Sequence, residues 1–153
     1  MTDMAQTLTR LLVHVVFSTH DRRNLITPEI EPTLHSYLAG TCRNMESPSL
    51  AVNGTENHIH LLISLSKNIA LADLLMNVKK DSSKWTKTQG HDHRDFHWQD
   101  GYGGFSVGES QVPTVIEYIR TQKEHHEQMF IEDELIKLAQ RYGVQYDPKY
   151  IWT

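Results

Sequence analysis

His58-Ile59-His60-Leu61-Leu62-Ile63-Ser64-Leu65 follows the polar turn Gly54 to Asn57 and reads as a buried β-strand. Successive side chains on a strand alternate between faces, so His58 and His60 leave one face side by side while Ile59 leaves the other. Two imidazole nitrogens then converge on one point. A polar pair in the middle of a sheet must find partners there or lose solvation without compensation.

Working outward, the apolar, β-branched stretch from Leu11 to Ser18 reads as a second buried strand, ending at the polar turn Thr19 to Asn24. Thr27-Pro28-Glu29 marks a helix start, and Leu34, Tyr37 and Leu38 carry the helix to Gly40 or slightly beyond. Residues 48–53 read as a short strand. Ile69, Leu71, Leu74, Leu75 and Val78 give a second amphipathic helix, with Lys80, Lys84 and Lys87 along another face. A polar, His-rich loop over residues 89–95 leads to a last strand region over 96–107. Ser110 as N-cap and Pro113 in the first turn open the helix that carries Tyr118, and a final helix covers about 132–141.

That order, β-α-β-β-α-β followed by helices, predicts an α+β fold: a ferredoxin-like or RRM-like sandwich with an antiparallel sheet whose first and third strands are central neighbours. The Tyr118 helix is the natural cover for the face that bears the histidines. Val112, Val115, Ile116 and Ile119 form its apolar stripe, and Tyr118 and Gln122, four residues apart, flank that stripe.

The 153 residues, 39% of them hydrophobic, suffice for one core and imply a single domain over 1–153. No window approaches the roughly 20 apolar residues of a membrane span. The first ten residues are polar and Cys42 is the lone cysteine, which together suggest a cytoplasmic protein without disulfides. Net charge is −4, so any nucleic-acid surface must come from clustered cations, with Arg22, Arg23, Lys79, Lys80, Lys84 and Lys87 the candidates. Much of the acidity lies late, at Glu124, Glu127, Glu132, Asp133 and Glu134.

Two imidazoles, an amide oxygen from Gln122 and a tyrosyl hydroxyl suit metal-assisted phosphoryl transfer. Such a neutral ligand set leaves a divalent ion its full charge, and an open site completed by phosphate oxygens favours Mg2+ or Mn2+. His14, on the neighbouring strand, is a structural residue or a partner behind the ligands. His91, His93, His97, His125 and His126 are too loosely spaced, beside a single cysteine, for a zinc site. No Walker-type Gly-Lys loop is present, so no nucleotide cofactor is expected.

The ordered series His14-Val15-Val16-Phe17-Ser18-Thr19, Arg22-Arg23, Asn57-His58-Ile59-His60-Leu61-Leu62-Ile63, Lys79-Lys80 with Ser82-Ser83, Trp98-Gln99-Asp100-Gly101-Tyr102, and Tyr118-Ile119 with Gln122 resembles one family. It is that of the single-tyrosine HUH transposases of insertion sequences that transpose as single-stranded DNA, the IS200-like transposase family, including palindrome-associated domesticated relatives. The resemblance implies that Tyr118 is the catalytic nucleophile, attacking a DNA phosphate to give a 5′-phosphotyrosine and a free 3′-hydroxyl. It further implies His58, His60 and Gln122 as metal ligands, hairpin-bearing single-stranded DNA as partner, and a homodimer in which the tyrosine helix of one subunit can serve the other. Gly108-Glu109 is a short hinge that permits such sharing. Asn57 departs from the pattern, since many relatives carry an acidic residue there.

Three alternatives remain. A domesticated palindrome-processing nuclease would carry the same residues. A non-catalytic RRM-like nucleic-acid-binding module would use Gly101-Tyr102-Gly103-Gly104-Phe105, although Asp100 replaces the leading basic residue and such a module has no use for His58, His60 and Tyr118 together. A histidine-triad hydrolase would need histidine at position 62, which is leucine.

Overall fold

The computed structural model describes residues 5–124 and 130–153. Four strands, β1 (Leu11–Ser18), β2 (Ser49–Gly54), β3 (His58–Leu65) and β4 (Gly103–Ser106), form one antiparallel sheet in the order β2-β3-β1-β4. β1 and β3 are the central pair, as the ferredoxin-like reading requires. Their register sets His14 opposite Leu62, Val16 opposite His60 and Ser18 opposite His58. Residues paired across an antiparallel ladder share a face, so His14, His58 and His60 emerge on the same side.

The other side carries Val15, Phe17, Ile59, Leu61 and Ile63, all buried under α1 (Glu31–Asn44) and α2 (Leu71–Lys87) together with Leu34, Leu38, Leu74, Leu75 and Val78. Each such side chain contributes roughly 1.5–3 kcal/mol by leaving water. On the histidine side, α3 (Val112–Arg120) packs Val112, Val115, Ile116 and Ile119 against Leu12 and Leu62. Beside it, α4 (Ile131–Arg141) sets Ile131 and Leu135 against Val16 and Phe105. Both faces of the sheet are therefore covered. None of the described helices is long and apolar enough to cross a membrane.

Several boundaries differ from the sequence reading. The first helix starts at Glu31, with Pro32 rather than Pro28 in its first turn, and it runs through Gly40 to Asn44. No side chain caps α3: a 3-10 turn over Glu109–Gln111 precedes it, and Gln111 rather than Ser110 is its N-cap. The largest correction concerns the last strand, which begins at Gly103 instead of residue 96. Phe96 and Trp98 do enter the core, edge-on to each other and to Phe17, but from irregular backbone. A single antiparallel bridge, Thr19 to Trp98, continues the pairing with β1, and side chains add to it: Ser18 N–H donates to Gln99 Oε1 at 2.7 Å, and Lys79 Nζ donates to the carbonyls of Gln99, Asp100 and Gly101 at 3.1, 3.2 and 2.5 Å.

Gly54 ends β2 against the start of β3, where a Cβ would collide with the His58 carbonyl. Gly54→Ala should therefore destabilise the fold by about 2 kcal/mol or more, read as a lowered urea midpoint, whereas Gly108→Ala, with open space around it, should leave the midpoint almost unchanged.

Candidate active site and metal centre

Two layers of hydrogen bonds position the His pair. Behind His58, Thr55 Oγ1 donates to Asn57 Oδ1 at 3.0 Å, and His58 Nδ1 lies 2.9 Å from that same oxygen and 2.8 Å from Thr55 Oγ1. Asn57 Nδ2 donates to the Arg22 carbonyl, which fixes the amide with its oxygen toward the imidazole. Since both neighbours of Nδ1 act as acceptors, Nδ1 carries the hydrogen and Nε2 keeps a bare lone pair. The Asn57 amide oxygen thus serves as the acceptor that orients His58. Behind His60, Nδ1 lies 2.8 Å from His14 Nε2, and the two rings stack with centroids 5.0 Å apart. Burial, then the neighbouring His60, pulls His14 down to about 3 against the opposing pull of Glu134, so His14 is a neutral partner.

On the ligand side four polar groups converge. His58 Nε2 meets Gln122 Oε1 at 3.1 Å, and His60 Nε2 meets Glu134 Oε1 at 3.3 Å. Gln122 Nε2 donates to Glu134 Oε1 at 3.1 Å, which fixes the amide with its oxygen toward His58. Tyr118 donates its hydroxyl hydrogen to Glu134 Oε1. His58, His60, Gln122 and Glu134 are all almost fully buried.

His58, His60 and Glu134 form a group with the spacing of metal ligands. Its polar atoms test whether an ion fits. His58 Nε2 faces Gln122 Oε1, lone pair to lone pair. His60 Nε2 and Glu134 Oε2 are buried without a hydrogen-bond partner among the described residues, the 3.3 Å approach to Oε1 being misaligned for a bond. Unsatisfied acceptors pointing inward are what a cation would relieve. Two imidazoles and a carboxylate, with an amide oxygen beside them, suit Mg2+ or Mn2+.

Burial alone would raise the Glu134 carboxyl, but its close approach to His60, the Tyr118 hydroxyl and the nearby His58 outweigh it and hold the group at about 2. Tyr118 moves the other way. Burial first, then the charge of Glu134 and the hydrogen bond to it, raise the phenol far above its ordinary value, with Gln122 and Arg141 opposing.

Tyr118, His58, His60 and Gln122 are thus brought together within one chain, Tyr118 edge-on to His60 with centroids 5.7 Å apart. α3 ends at Arg120, so Gln122 lies past its C-cap, Thr121, rather than on the same unbroken helix. The expectation of an all-neutral ligand set is corrected by Glu134, which sequence reading counted only as late acidity. A signal for it existed: Ile131, Glu134, Leu135 and Leu138 have the spacing of one buried helical face, and a carboxylate inside such a stripe calls for a partner.

Of the six candidate DNA-binding cations, four lysines share one groove and the two arginines lie outside it. Lys79, Lys80, Lys84 and Lys87 line a groove of about 520 Å3 between α2 and residues 97–102, on the helix-covered face away from the His pair. Burial, opposed by Asp100, lowers Lys79 to about 8, and its ammonium lies over the Phe17 and Tyr102 rings. Arg22 is paired with Glu132 at 2.7 Å and lies over Trp152, while Arg23 is exposed. Of the remaining histidines, His91, His93 and His97 form no metal-ligand group among the described residues, and His125 and His126 lie outside them.

A protein-family model described as "Transposase IS200 like" matches residues 7–122. Among solved structures, a Deinococcus radiodurans R1 protein assigned as a transposase aligns with a TM-score of 0.62 and 18% identity, covering 80% of this chain and 98% of its own. A REP-associated tyrosine transposase bound to a REP hairpin aligns with a TM-score of 0.60 and 14% identity, covering 87% of this chain and 79% of its own. At such identities the likeness is one of fold. No curated protein matches the chain.

Loss of any one ligand from a small open site should weaken Mn2+ binding sharply. His58→Ala, His60→Ala and Glu134→Ala are each expected to abolish measurable binding by calorimetry. Gln122→Ala should retain it more weakly, and Asn57→Ala should lose affinity by about 10-fold through misorientation of His58.

Proposed function

The chain belongs to the IS200-like transposase family, and we propose that it is a metal-dependent enzyme that cleaves and rejoins single-stranded DNA at hairpin-marked ends through a 5′-phosphotyrosine intermediate. One observation carries this reading: the Tyr118 hydroxyl is bound to a buried carboxylate that also borders both histidines. A nucleophile and a cation site thereby share one wall. A likeness in fold to a transposase holding a REP hairpin adds the DNA hairpin as ligand class.

The residues divide the work as follows. His58 and His60, with Glu134 and Gln122, would hold Mg2+ or Mn2+, which when bound supplies Lewis-acid polarisation of the scissile phosphate and offsets the charge of Glu134. Tyr118 Oη forms the new bond to phosphorus as the bond from phosphorus to the 3′-oxygen breaks, so phosphodiester energy is kept in the adduct and no nucleotide cofactor is needed. Glu134 orients the hydroxyl. Held near 2, it is too weak a base to store the proton, which passes on to the departing 3′-oxygen or to solvent. Thr55 and Asn57 keep His58 in its ligating tautomer. Rejoining is the reverse displacement, by a 3′-hydroxyl on the phosphotyrosine. The whole chain serves as a single catalytic domain, and assembly as a homodimer belongs to the same reading.

A fluorescent single-stranded oligonucleotide with a hairpin, incubated with Mn2+ and run on a denaturing gel, should yield a protein-linked band. Tyr118→Phe removes one oxygen and keeps the ring packing, so it should abolish that band while hairpin binding stays nearly unchanged. A band that survives the substitution points to another nucleophile, such as Tyr102.

A further inference from the structure

Beside the nucleophile lies a cavity of about 480 Å3 that Tyr118, Glu134 and His14 help to line. Its floor carries Tyr118 and Glu134, and one wall is α4, which contributes Lys137 and Arg141. Glu134, Lys137 and Arg141 recur at helical spacing, so α4 points its buried carboxylate at the metal site and its two cations along the same strip toward the opening. The cavity size falls in the range of about 300–1,000 Å3 typical of ligand sites.

Neither cation has a partner among the described residues, a condition they share with Lys80, Lys84 and Lys87 but not with the cations held in ion pairs. Arg10 pairs with Glu109, Arg22 with Glu132, Arg120 with Glu117 and Lys123 with Glu31. Lys137 and Arg141 make no hydrogen bond or ion pair with any described residue. Both are exposed at the cavity. Tyr142 follows directly, its ring tilted over Phe105 with centroids 5.0 Å apart and lining the same space. What sets this pair apart is its position: two cations and an aromatic ring line the same cavity as the nucleophile. Phosphodiester backbone with bases that stack is the ligand chemistry that matches this combination.

We propose that this cavity seats the single strand adjoining the cut, with Lys137 and Arg141 each contacting a backbone phosphate beside the one presented to Tyr118. This rests on the proposed function and names residues for it that lie beyond the stretch matched by the family model, which ends at residue 122.

The test measures affinity for a short single-stranded oligonucleotide without self-complementarity, by fluorescence anisotropy in EDTA, across a range of salt. The double variant Lys137→Gln/Arg141→Gln should bind more weakly, and its log–log salt slope should be shallower by about 1.4, as expected when two single-strand phosphate contacts are lost. The charge-keeping pair Lys137→Arg/Arg141→Lys should retain the wild-type slope. Mn2+ binding by calorimetry should be the same in all three proteins, because neither residue is a ligand. An unchanged slope in the double glutamine variant overturns the proposal. So does a lost slope accompanied by lost Mn2+ binding, which would report a damaged site instead. Adduct formation by the wild type is scored separately: its absence would overturn the proposed function, while the salt slope still decides the cavity.

Discussion

An ionised carboxylate buried between two imidazoles is the constraint on which the histidine side of this molecule depends. An uncompensated buried charge costs several kcal/mol, and Glu134 accepts hydrogen bonds from Tyr118 of α3 and from Gln122 just beyond it, beside His58 and His60 of β3. α4 therefore docks where its carboxylate is satisfied, and the apolar contacts of Ile131 and Leu135 with Val16 and Phe105 lock it there. The Arg22–Glu132 pair, two residues from Glu134, ties the same helix to the turn after β1. The His pair, Tyr118 and the two cations of α4 thereby border a common element.

The sheet supplies the rest of the precision. Because β1 and β3 are central neighbours in fixed register, His14 stands behind His60 with no freedom to drift, and a slip of one residue would turn every histidine into the α1/α2 core. The buried, neutral state of His14 suits the role. A charged imidazole there would place a cation beside the His pair, whereas a neutral one can accept the Nδ1 hydrogen of His60 and so leave its Nε2 bare. Thr55 and Asn57 do the equivalent for His58 from the β2–β3 turn. Both ligands are thus aimed by hydrogen bonds to their outer nitrogens, one by a strand and one by a turn.

Much of this was legible in the sequence because it follows from strict periodicity. Alternation placed His58 and His60 on one face, the strand order placed them mid-sheet, and the stripe Val112, Val115, Ile116, Ile119 told which face α3 would cover. What escaped had a different physical origin. Glu134 was hidden because an acidic stretch in a helix normally faces solvent, and only its place among Ile131, Leu135 and Leu138 distinguishes it from Glu132 and Asp133. The extent of β4 escaped because Phe96 and Trp98 have strand-like character, yet only one isolated bridge, Trp98 to Thr19, forms there, supplemented by side-chain bonds from Gln99 and Lys79. That same use of Lys79 could not be seen from the chain, where it looked like one member of a basic helix face. Asn57, a departure from the family pattern, still sets an acceptor oxygen 2.9 Å from His58 Nδ1.

The central claim is that Tyr118, resting on Glu134 beside the His pair, is the atom source of the covalent bond to DNA. Peptide mapping of the wild-type protein by tandem mass spectrometry, after reaction with a hairpin-bearing single strand in Mn2+ and nuclease trimming, tests it most directly. The residual nucleotide mass is predicted on the peptide containing Tyr118, joined through a 5′-phosphate. Its appearance on Tyr102 or any other residue, or a 3′-phosphate linkage on Tyr118, would contradict the claim.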